Sequence, residues 1–479
     1  MTQQDVSPTK LASEESVDMA TKPVSVKKEI LHLWKGFAEV TTLHGCRNVQ
    51  DSDKSVFFRV IWALIVISMF LVLIISLTML WIQYSSFPFK TVWNLSRETS
   101  IPLPAITLCL YADFDRGKTA SWKDSRQYVD DRWSFSNLSS NEFVKLNYSE
   151  AQQLFGFNAR DVILAMFASD IQDIHFLSLS DWVVSEPDPG RACWTIHNSD
   201  NRGSVDEKFD FKLEISSSFF LFLNPMKARV GIGYHAFGVE IFLHEAGSRY
   251  WLQKGMNIMP GVYADVQLIQ EKTKFLPSPY NSAGSKGCVD TDDPGFVNPL
   301  RFFEAYSIDL CITELLVNES QKRCGCAFQP HASLLRVKEC TVIQFQQCYV
   351  QVRNKVLREA LLTSNKQCLD PCHTNRFTTS ITTSALNVKS MHKFLLQNNY
   401  TFAPDLEMKD LILVQIYPMS MDVTTMEHVP EVTLLEVYAQ VGGFMGLFLG
   451  ASLITLMELA DVALFIAWAA ITSIVRRVR

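Results

Sequence analysis

The sequence predicts a membrane protein in which two transmembrane helices near the chain ends hold one large, disulfide-rich α+β domain outside the cell. Val60 to Phe89 runs 30 residues without a charged side chain, more than the roughly 20 residues a helix needs to cross a bilayer. A second apolar stretch occupies about Leu434 to Val475. Between them lie ten of the eleven cysteines and all five N-x-S/T sequons, at Asn94, Asn137, Asn147, Asn318 and Asn399. An even number of cysteines together with glycosylation acceptors fits an oxidising, extracellular setting.

Residues 1–56 are polar and charged, with no short apolar run ending at a small-residue cleavage site, so they read as a cytosolic N-terminus rather than a removable signal. Residues 57–84 form the first transmembrane helix. Arg47, Lys54 and Arg59 precede that span, and Arg476, Arg477 and Arg479 follow the second. The positive-inside tendency therefore puts both termini in the cytosol and leaves Cys46 as a lone cytosolic thiol. Residues 85–430 are the extracellular domain, 431–475 the second transmembrane helix and 476–479 a cytosolic tail. Membrane lipid is thus a partner, and the net charge of −6 suggests no nucleic-acid surface.

Within 85–430, "LPAITLCL", "FDFKLEISSSFFLFLN", "RVGIGYHAFGVEIFLHE" and "GVYADVQLIQE" are rich in β-branched and aromatic residues and bounded by Gly, Pro and Asn, the pattern of strands. From Cys340, apolar residues at 349, 352, 356 and 357 give helical spacing instead. Eight of the ten extracellular cysteines fall from Cys288 to Cys372, around that helix.

The second apolar stretch has the wrong composition for a plain anchor. "VGGFMGLFLGASLITLMELAD", Val441 to Asp461, carries four glycines and two acids. Gly446 and Gly450 spell G-x-x-x-G, the signature of a close-packed helix pair. Two patterns favour a water-lined path. Glu436, Gln440 and Gly443 fall on one helical face, and Ser452, Thr455, Glu458 and Asp461 recur every three residues. Ionisable groups at membrane depth are costly unless they face water or a partner.

Four places in order carry a resemblance: His44-Gly45 in "FAEVTTLHGCRN", "LPAITLC" after the first span, "GRACWTI" with Cys193, and "GGFMGLFLGAS". Together they resemble the degenerin/epithelial sodium channel/acid-sensing ion channel family, over roughly residues 37 to 465. The resemblance implies a trimeric plasma-membrane channel with palm, thumb, knuckle and finger subdomains, built with two further subunits of the same or a related kind. It implies the disulfides Cys109–Cys193, Cys288–Cys372, Cys311–Cys368, Cys324–Cys348 and Cys326–Cys340. One thumb disulfide of acid-sensing members is absent, Leu315 and Lys366 standing in its places. The segment from Leu110 to Gly190 is short for a finger, so a reduced finger is expected.

By the same resemblance, Gly450, Ala451 and Ser452 are an extended selectivity belt interrupting the second helix. Non-helical backbone at that depth is tolerated where it lines water or is buried in protein, and freed carbonyls then replace part of a cation's hydration shell. Gln440, Gly443, Gly446, Thr455, Glu458 and Asp461 are expected to line the path, the last two as rings of negative charge. Gln440 departs from the aspartate common in acid-sensing relatives. His44 and Gly45 are expected in a gating loop under the pore, with Tyr280 and Phe87 coupling thumb to first helix. The expected activity is Na⁺-selective, amiloride-sensitive conduction. Na⁺ is the permeant ion; no cofactor, metal site or enzymatic reaction is read.

Groups that titrate near neutral pH need crowded carboxylates or placed histidines. "SSFPFK" after the first span has no histidine, and from Thr341 to Gln367 Arg353, Lys355, Arg358 and Lys366 face only Glu359. An extracellular agonist is therefore expected, a neuropeptide favoured; the alternatives are a proton-gated member and a constitutively open or mechanically gated one. Asp290 to Gly295, "DTDDPG", reads as a solvated turn, with a Ca²⁺ or basic-ligand site as its alternative. Outside the family, a membrane ecto-nucleotidase shares two spans and many cysteines, but needs glycine-rich phosphate loops with metal-binding acids. An ATP-gated receptor channel would want lysine-rich phosphate contacts.

Overall fold

The computed structural model describes residues 36–37, 41, 43, 45–130, 142–170, 173–186, 190–196, 211–231, 236–246, 248–250, 254–283, 287–362, 367–398 and 408–478. These fall in two compact units, Phe89–Pro430 and the flanking segments up to Pro88 and from Glu431.

The larger unit is built on an eight-stranded sheet. Its path runs β1 (Phe89–Arg97), β17 (Asp422–Pro430), β12 (Val262–Lys274), β16 (Ile412–Pro418), β9 (Ser218–Leu223), β4 (Ile163–Ser169) and β5 (Ile174–Phe176), and β15 (His373–Ala385) also pairs with β12. A five-stranded sheet runs β11 (Met256–Ile258), β10 (Val239–His244), β3 (Ala105–Leu110), β7 (Cys193–Ile196) and β6 (Val183–Glu186). Two short pairs, β2 (Ile101–Pro102) with β8 (Lys212–Leu213) and β13 (Cys288–Val289) with β14 (Asp370–Pro371), complete the strands.

Alternation explains the layering. In β12, Ala264, Val266 and Leu268 are fully buried while their neighbours are not, the period-2 signature of a strand with one covered face. They share a core with Ile412, Val414 and Ile416 of β16, Ile106, Leu108 and Leu110 of β3, and Ile241 and Leu243 of β10. Each of the Val, Leu and Ile side chains contributes about 1.5–3 kcal/mol by leaving water.

A second core is helical. Helix α4 (Ile308–Cys324) is capped by Ser307, whose hydroxyl accepts from the Leu310 amide at 3.2 Å, and ends at left-handed Gly325. It packs with the helical stretch from Val342, which passes through a π turn at Phe345–Tyr349 into α5 (Val350–Leu362). Tyr349, Val352 and Val356 are buried and Leu357 packs against them, so the helical spacing in the sequence marks the packed face.

The expected finger segment divides. Helices at Lys123–Asp130 and α3 (Tyr148–Phe155) supply Tyr128, Val129, Tyr148 and Phe155 to the helical core. Ile163–Ser169 and Ile174–Phe176 instead form β4 and β5 of the large sheet. Only part of the stretch from Leu110 to Gly190 is therefore free to form a finger.

Five disulfides join Cys109 to Cys193, Cys288 to Cys372, Cys311 to Cys368, Cys324 to Cys348 and Cys326 to Cys340. The first links directly opposed residues of β3 and β7; the last three staple the helical core, and Cys288–Cys372 joins the β13 and β14 segments. Asn94 and Asn147 are exposed and Asn318 is half-buried, whereas Asn137 and Asn399 lie outside the described residues.

Candidate pore segment

The smaller unit contains α2 (Val56–Ser85), 30 residues long and apolar enough to cross a membrane. Large side chains such as Leu64, Phe70, Ile75 and Trp81 stand exposed along it. The second apolar stretch is two helices, α7 (Leu434–Leu449) and α8 (Leu453–Val478). Across the break, Leu434–Leu449 and Ile454–Trp468 meet at 77°, and they count as one span only if taken together.

Helix α7 begins in a capping box. Thr433 Oγ1 accepts from the Glu436 amide at 3.2 Å, and the Thr433 amide donates to Glu436 Oε2 at 2.8 Å. That reciprocal pair satisfies two donors a helix start leaves open, so the Glu436 carboxylate serves as a cap. Gln440 is exposed one turn further on.

Apart from chain neighbours and the helix's own backbone, no heavy atom of the described residues lies within 4 Å of where a Cβ would stand at Gly442, Gly443 or Gly446. Among the described residues the glycine face of α7 is therefore open, and its glycines are not buried against α2. At the helix end Gly450 adopts φ 63° and ψ 20°, left-handed rather than extended. This corrects the expectation of a fully extended belt: glycine takes the left-handed cap at little steric cost and closes the helix. The Gly450 amide donates to the Gly446 carbonyl at 3.0 Å and the Ala451 amide to that of Met445 at 3.2 Å.

Ala451 is buried and Ser452 exposed; the helix resumes at Leu453. Thr455, expected to line the path, is fully buried, its Oγ1 accepting from the Ser452 amide at 3.1 Å. Its hydroxyl is spent on the restart of the helix. Further along, Glu458 is half-buried, with Oε2 buried and lacking a hydrogen-bond partner among the described residues, and Asp461 is exposed.

His44 lies outside the described residues. Gly45 N-caps α1 (Cys46–Gln50) at φ 88°, and a Cβ there would stand 2.6 Å from Val66 Cγ2 and 3.5 Å from Trp62 Cε3. The left-handed angle and the close approach each require glycine. Arg59 Nε donates to the Val49 carbonyl at 2.9 Å, further fastening α1 to α2. Burial pushes the neighbouring Cys46 thiol up from its ordinary value.

Tyr280 is half-buried and closes a turn, its amide donating to the Pro277 carbonyl at 3.1 Å. Phe87 takes φ 50°, and its ring centre lies 6.4 Å from that of Tyr84. The two belong to different compact units, and their coupling stays a proposal.

Sequence reasoning missed His428. On β17, just before the pore segment, its ring stacks on Phe89 at 4.7 Å and meets Phe275 edge-on at 4.9 Å. It is 9% exposed, and its Nδ1 has no hydrogen-bond partner among the described residues. Phe89, Phe275 and His428 are far apart in sequence, and only the β1–β17–β12 order gathers them.

A long apolar helix, a glycine-broken second apolar stretch and a disulfide-rich domain between them in sequence are in keeping with a transmembrane ion channel. The chain belongs to the amiloride-sensitive sodium channel family, whose description matches residues 37–462. Acid-sensing ion channel 1 of Gallus gallus is 21% identical over 486 residues, covering 94% of this chain and 85% of that protein. The bile acid-sensitive ion channel of Rattus norvegicus is 23% identical over 461 residues, covering 89% and 86%. Among solved structures, a proton-activated chloride channel aligns with TM-score 0.30 and 9% identity over 85% of this chain and 97% of that one, a likeness too weak to carry an argument.

Proposed function

We propose that the chain is a subunit of a trimeric, Na⁺-preferring, amiloride-sensitive channel of the plasma membrane. In this reading α2 and the α7–α8 pair cross the membrane, the Gly450 to Ser452 break forms the constriction, and both termini face the cytosol. The observation that carries it is the break itself, a left-handed glycine cap followed by a fresh helix start, with open glycines on the approach. Irregular backbone in a span is stable where it lines water or is covered by protein. Three copies of Gln440, Gly443 and Gly446 would form the outer lining. Three copies of Glu458 and Asp461 would place carboxylates beyond the constriction, drawing cations and repelling anions.

The stimulus proposed is an extracellular ligand, with a neuropeptide favoured. The thumb helix α5 carries basic residues, and Lys355 lies 3.6 Å from Glu359, its one acid. His331 is held neutral down to about pH 4, chiefly by burial and further by the Arg249 charge, so it is no sensor near neutrality. A proton-gated reading is the second, favoured by the acid-sensing relatives and by His428, a histidine packed against the Phe89 and Phe275 rings. Acid-sensing and bile acid-sensitive relatives keep both kinds of stimulus in view.

Recording from oocytes that express the chain alone, and then with related subunits, tests the proposal. Reversal potentials under Na⁺ and K⁺, with amiloride, acid and neuropeptides applied in turn, separate the readings. Selectivity unchanged by bulky residues at Gly450 and Ser452 would refute the constriction. Acid currents lost on His428→Gln would favour the second reading over the first.

A further inference from the structure

We infer that Asp290, Asp292 and His373 form an extracellular site for a divalent transition-metal ion, for which Zn²⁺ is the probe. One ligand atom from each lies within 4.8 Å of the others, and His373 Nδ1 is 2.5 Å from Asp292 Oδ2. Zn²⁺ sits about 2.0–2.2 Å from imidazole nitrogen and carboxylate oxygen. Ligand atoms at tetrahedral angles around it lie roughly 3.4 Å apart, so the His373–Asp292 pair opens by about 1 Å and Asp290 draws in to complete the set.

The acidic turn alone does not make this site. Its nitrogen donor comes from a residue 81 positions away in sequence, brought in by the backbone. Cys288 is bonded to Cys372, the residue before His373, and Val289 pairs in parallel with Pro371. The Cys372 amide also donates to the Val289 carbonyl at 2.8 Å. A covalent bond and a strand pair thus fix the two donor-bearing segments before any ion arrives.

The donor set chooses the metal. Imidazole nitrogen suits Zn²⁺, Ni²⁺ or Cu²⁺, while Ca²⁺ and Mg²⁺ want oxygen throughout. The metal would bind Nδ1 of the neutral ring, which then carries its proton on Nε2. Three protein donors leave positions for water, as in an open rather than a closed site. Lys274 stands opposite His373 on β12, but Glu427 of β17 is its register partner on the other side and offsets its charge. Asp293 is engaged in the turn, its Oδ1 accepting from the Gly295 amide at 2.8 Å.

Occupancy would tie the turn after Cys288 to the first residue of β15. The assignment is independent of the conduction reading, since binding is measured without current. Full-length protein in detergent is titrated with Zn²⁺ against a chromophoric chelator, beside His373→Ala, Asp292→Asn and Asp293→Asn variants. Thermal unfolding in metal-free buffer shows that each variant is folded. The expected result is a Zn²⁺ site weakened at least about tenfold by the first two substitutions, a loss that changes around metal ligands commonly reach. Asp293→Asn and millimolar Ca²⁺ should leave it unchanged. Wild-type binding by His373→Ala, equal loss with Asp293→Asn, or displacement by Ca²⁺ would each overturn the assignment.

Discussion

Ser452 and Thr455 hold each other at the restart of the pore helix. The Ser452 amide donates to Thr455 Oγ1 at 3.1 Å, and the Thr455 amide donates to Ser452 Oγ at 3.4 Å. This exchange satisfies amides that the break at Gly450 leaves open, so the geometry of the break depends on two hydroxyls three residues apart. Ser452→Thr should keep the cap and Na⁺ preference. Ser452→Ala should cost about 1 kcal/mol at the helix start and reduce discrimination against K⁺. Ser452→Leu should abolish it. Reversal potentials under paired Na⁺ and K⁺ solutions give the order, and the order Leu above Thr would be inconsistent with a cap.

Gly45 should tolerate no side chain. The backbone angle alone costs an L-residue roughly 1–2 kcal/mol, and Val66 Cγ2 stands 2.6 Å from the added carbon. Gly45→Ala should therefore push α1 off α2 and shift the open–closed balance about tenfold, the equivalent of some 1.4 kcal/mol. Adding Val66→Ala removes the methyl clash but not the dihedral strain, so it should restore the current in part. Current normalised to surface protein is the readout, and full rescue would show that strain contributes nothing.

The disulfides should differ in importance according to the loops they close. Cys288–Cys372 spans 84 residues and Cys326–Cys340 spans 14. Because Cys311–Cys368 lies inside the longer loop and shortens it to about 28 residues, closure entropy growing as the logarithm of loop length makes the longer bond contribute roughly 0.6 kcal/mol more. Serine pairs replacing each bond in turn should order the melting temperatures accordingly. Equal losses would mean that local packing, not chain entropy, sets the contribution.

What was legible in the sequence follows physical range. The first span, the strands of the large sheet and the helical face at Tyr349, Val352 and Val356 are written in periodicity, because burial of one face selects residues at fixed spacing. The role of Glu436 was hidden because an acid three residues after a threonine fits both a cap and a polar stripe. Thr455 has a second role hidden for the same reason: its spacing from Ser452 suits a hydrogen bond as well as a shared face. His428 and the His373–Asp292 contact were invisible, since each depends on strand order between distant segments. The left-handed turn at Gly450 is a choice glycine permits and does not announce.

Glu458 and Asp461 should differ in effect. Glu458 Oε2 is buried without a partner among the described residues, while Asp461 is exposed. A carboxylate excluded from bulk water acts on a passing cation with less screening. Glu458→Gln should thus lower unitary Na⁺ conductance more than Asp461→Asn, and both should weaken rejection of anions. Single-channel recordings settle the order, and equal effects would place both in open water.

His331 should make the ectodomain acid-labile without making it acid-gated. Burial, and after it the nearby Arg249 charge, depress the imidazole from 6.5 to about 4, and its ring meets Phe302 and Phe303 edge-on. Between those values the unfolded chain binds a proton that the folded chain refuses. Stability is then fully present above pH 6.5, falls as pH drops, and stops falling once the folded form is protonated near pH 4. The loss across that window is of order 3 kcal/mol. His331→Phe should flatten the dependence, measured as melting temperature of the full-length protein at stepped pH. Its response to agonist at neutral pH should be unchanged, because the native ring is neutral there. A variant that kept the full acid dependence would move the titrating group elsewhere.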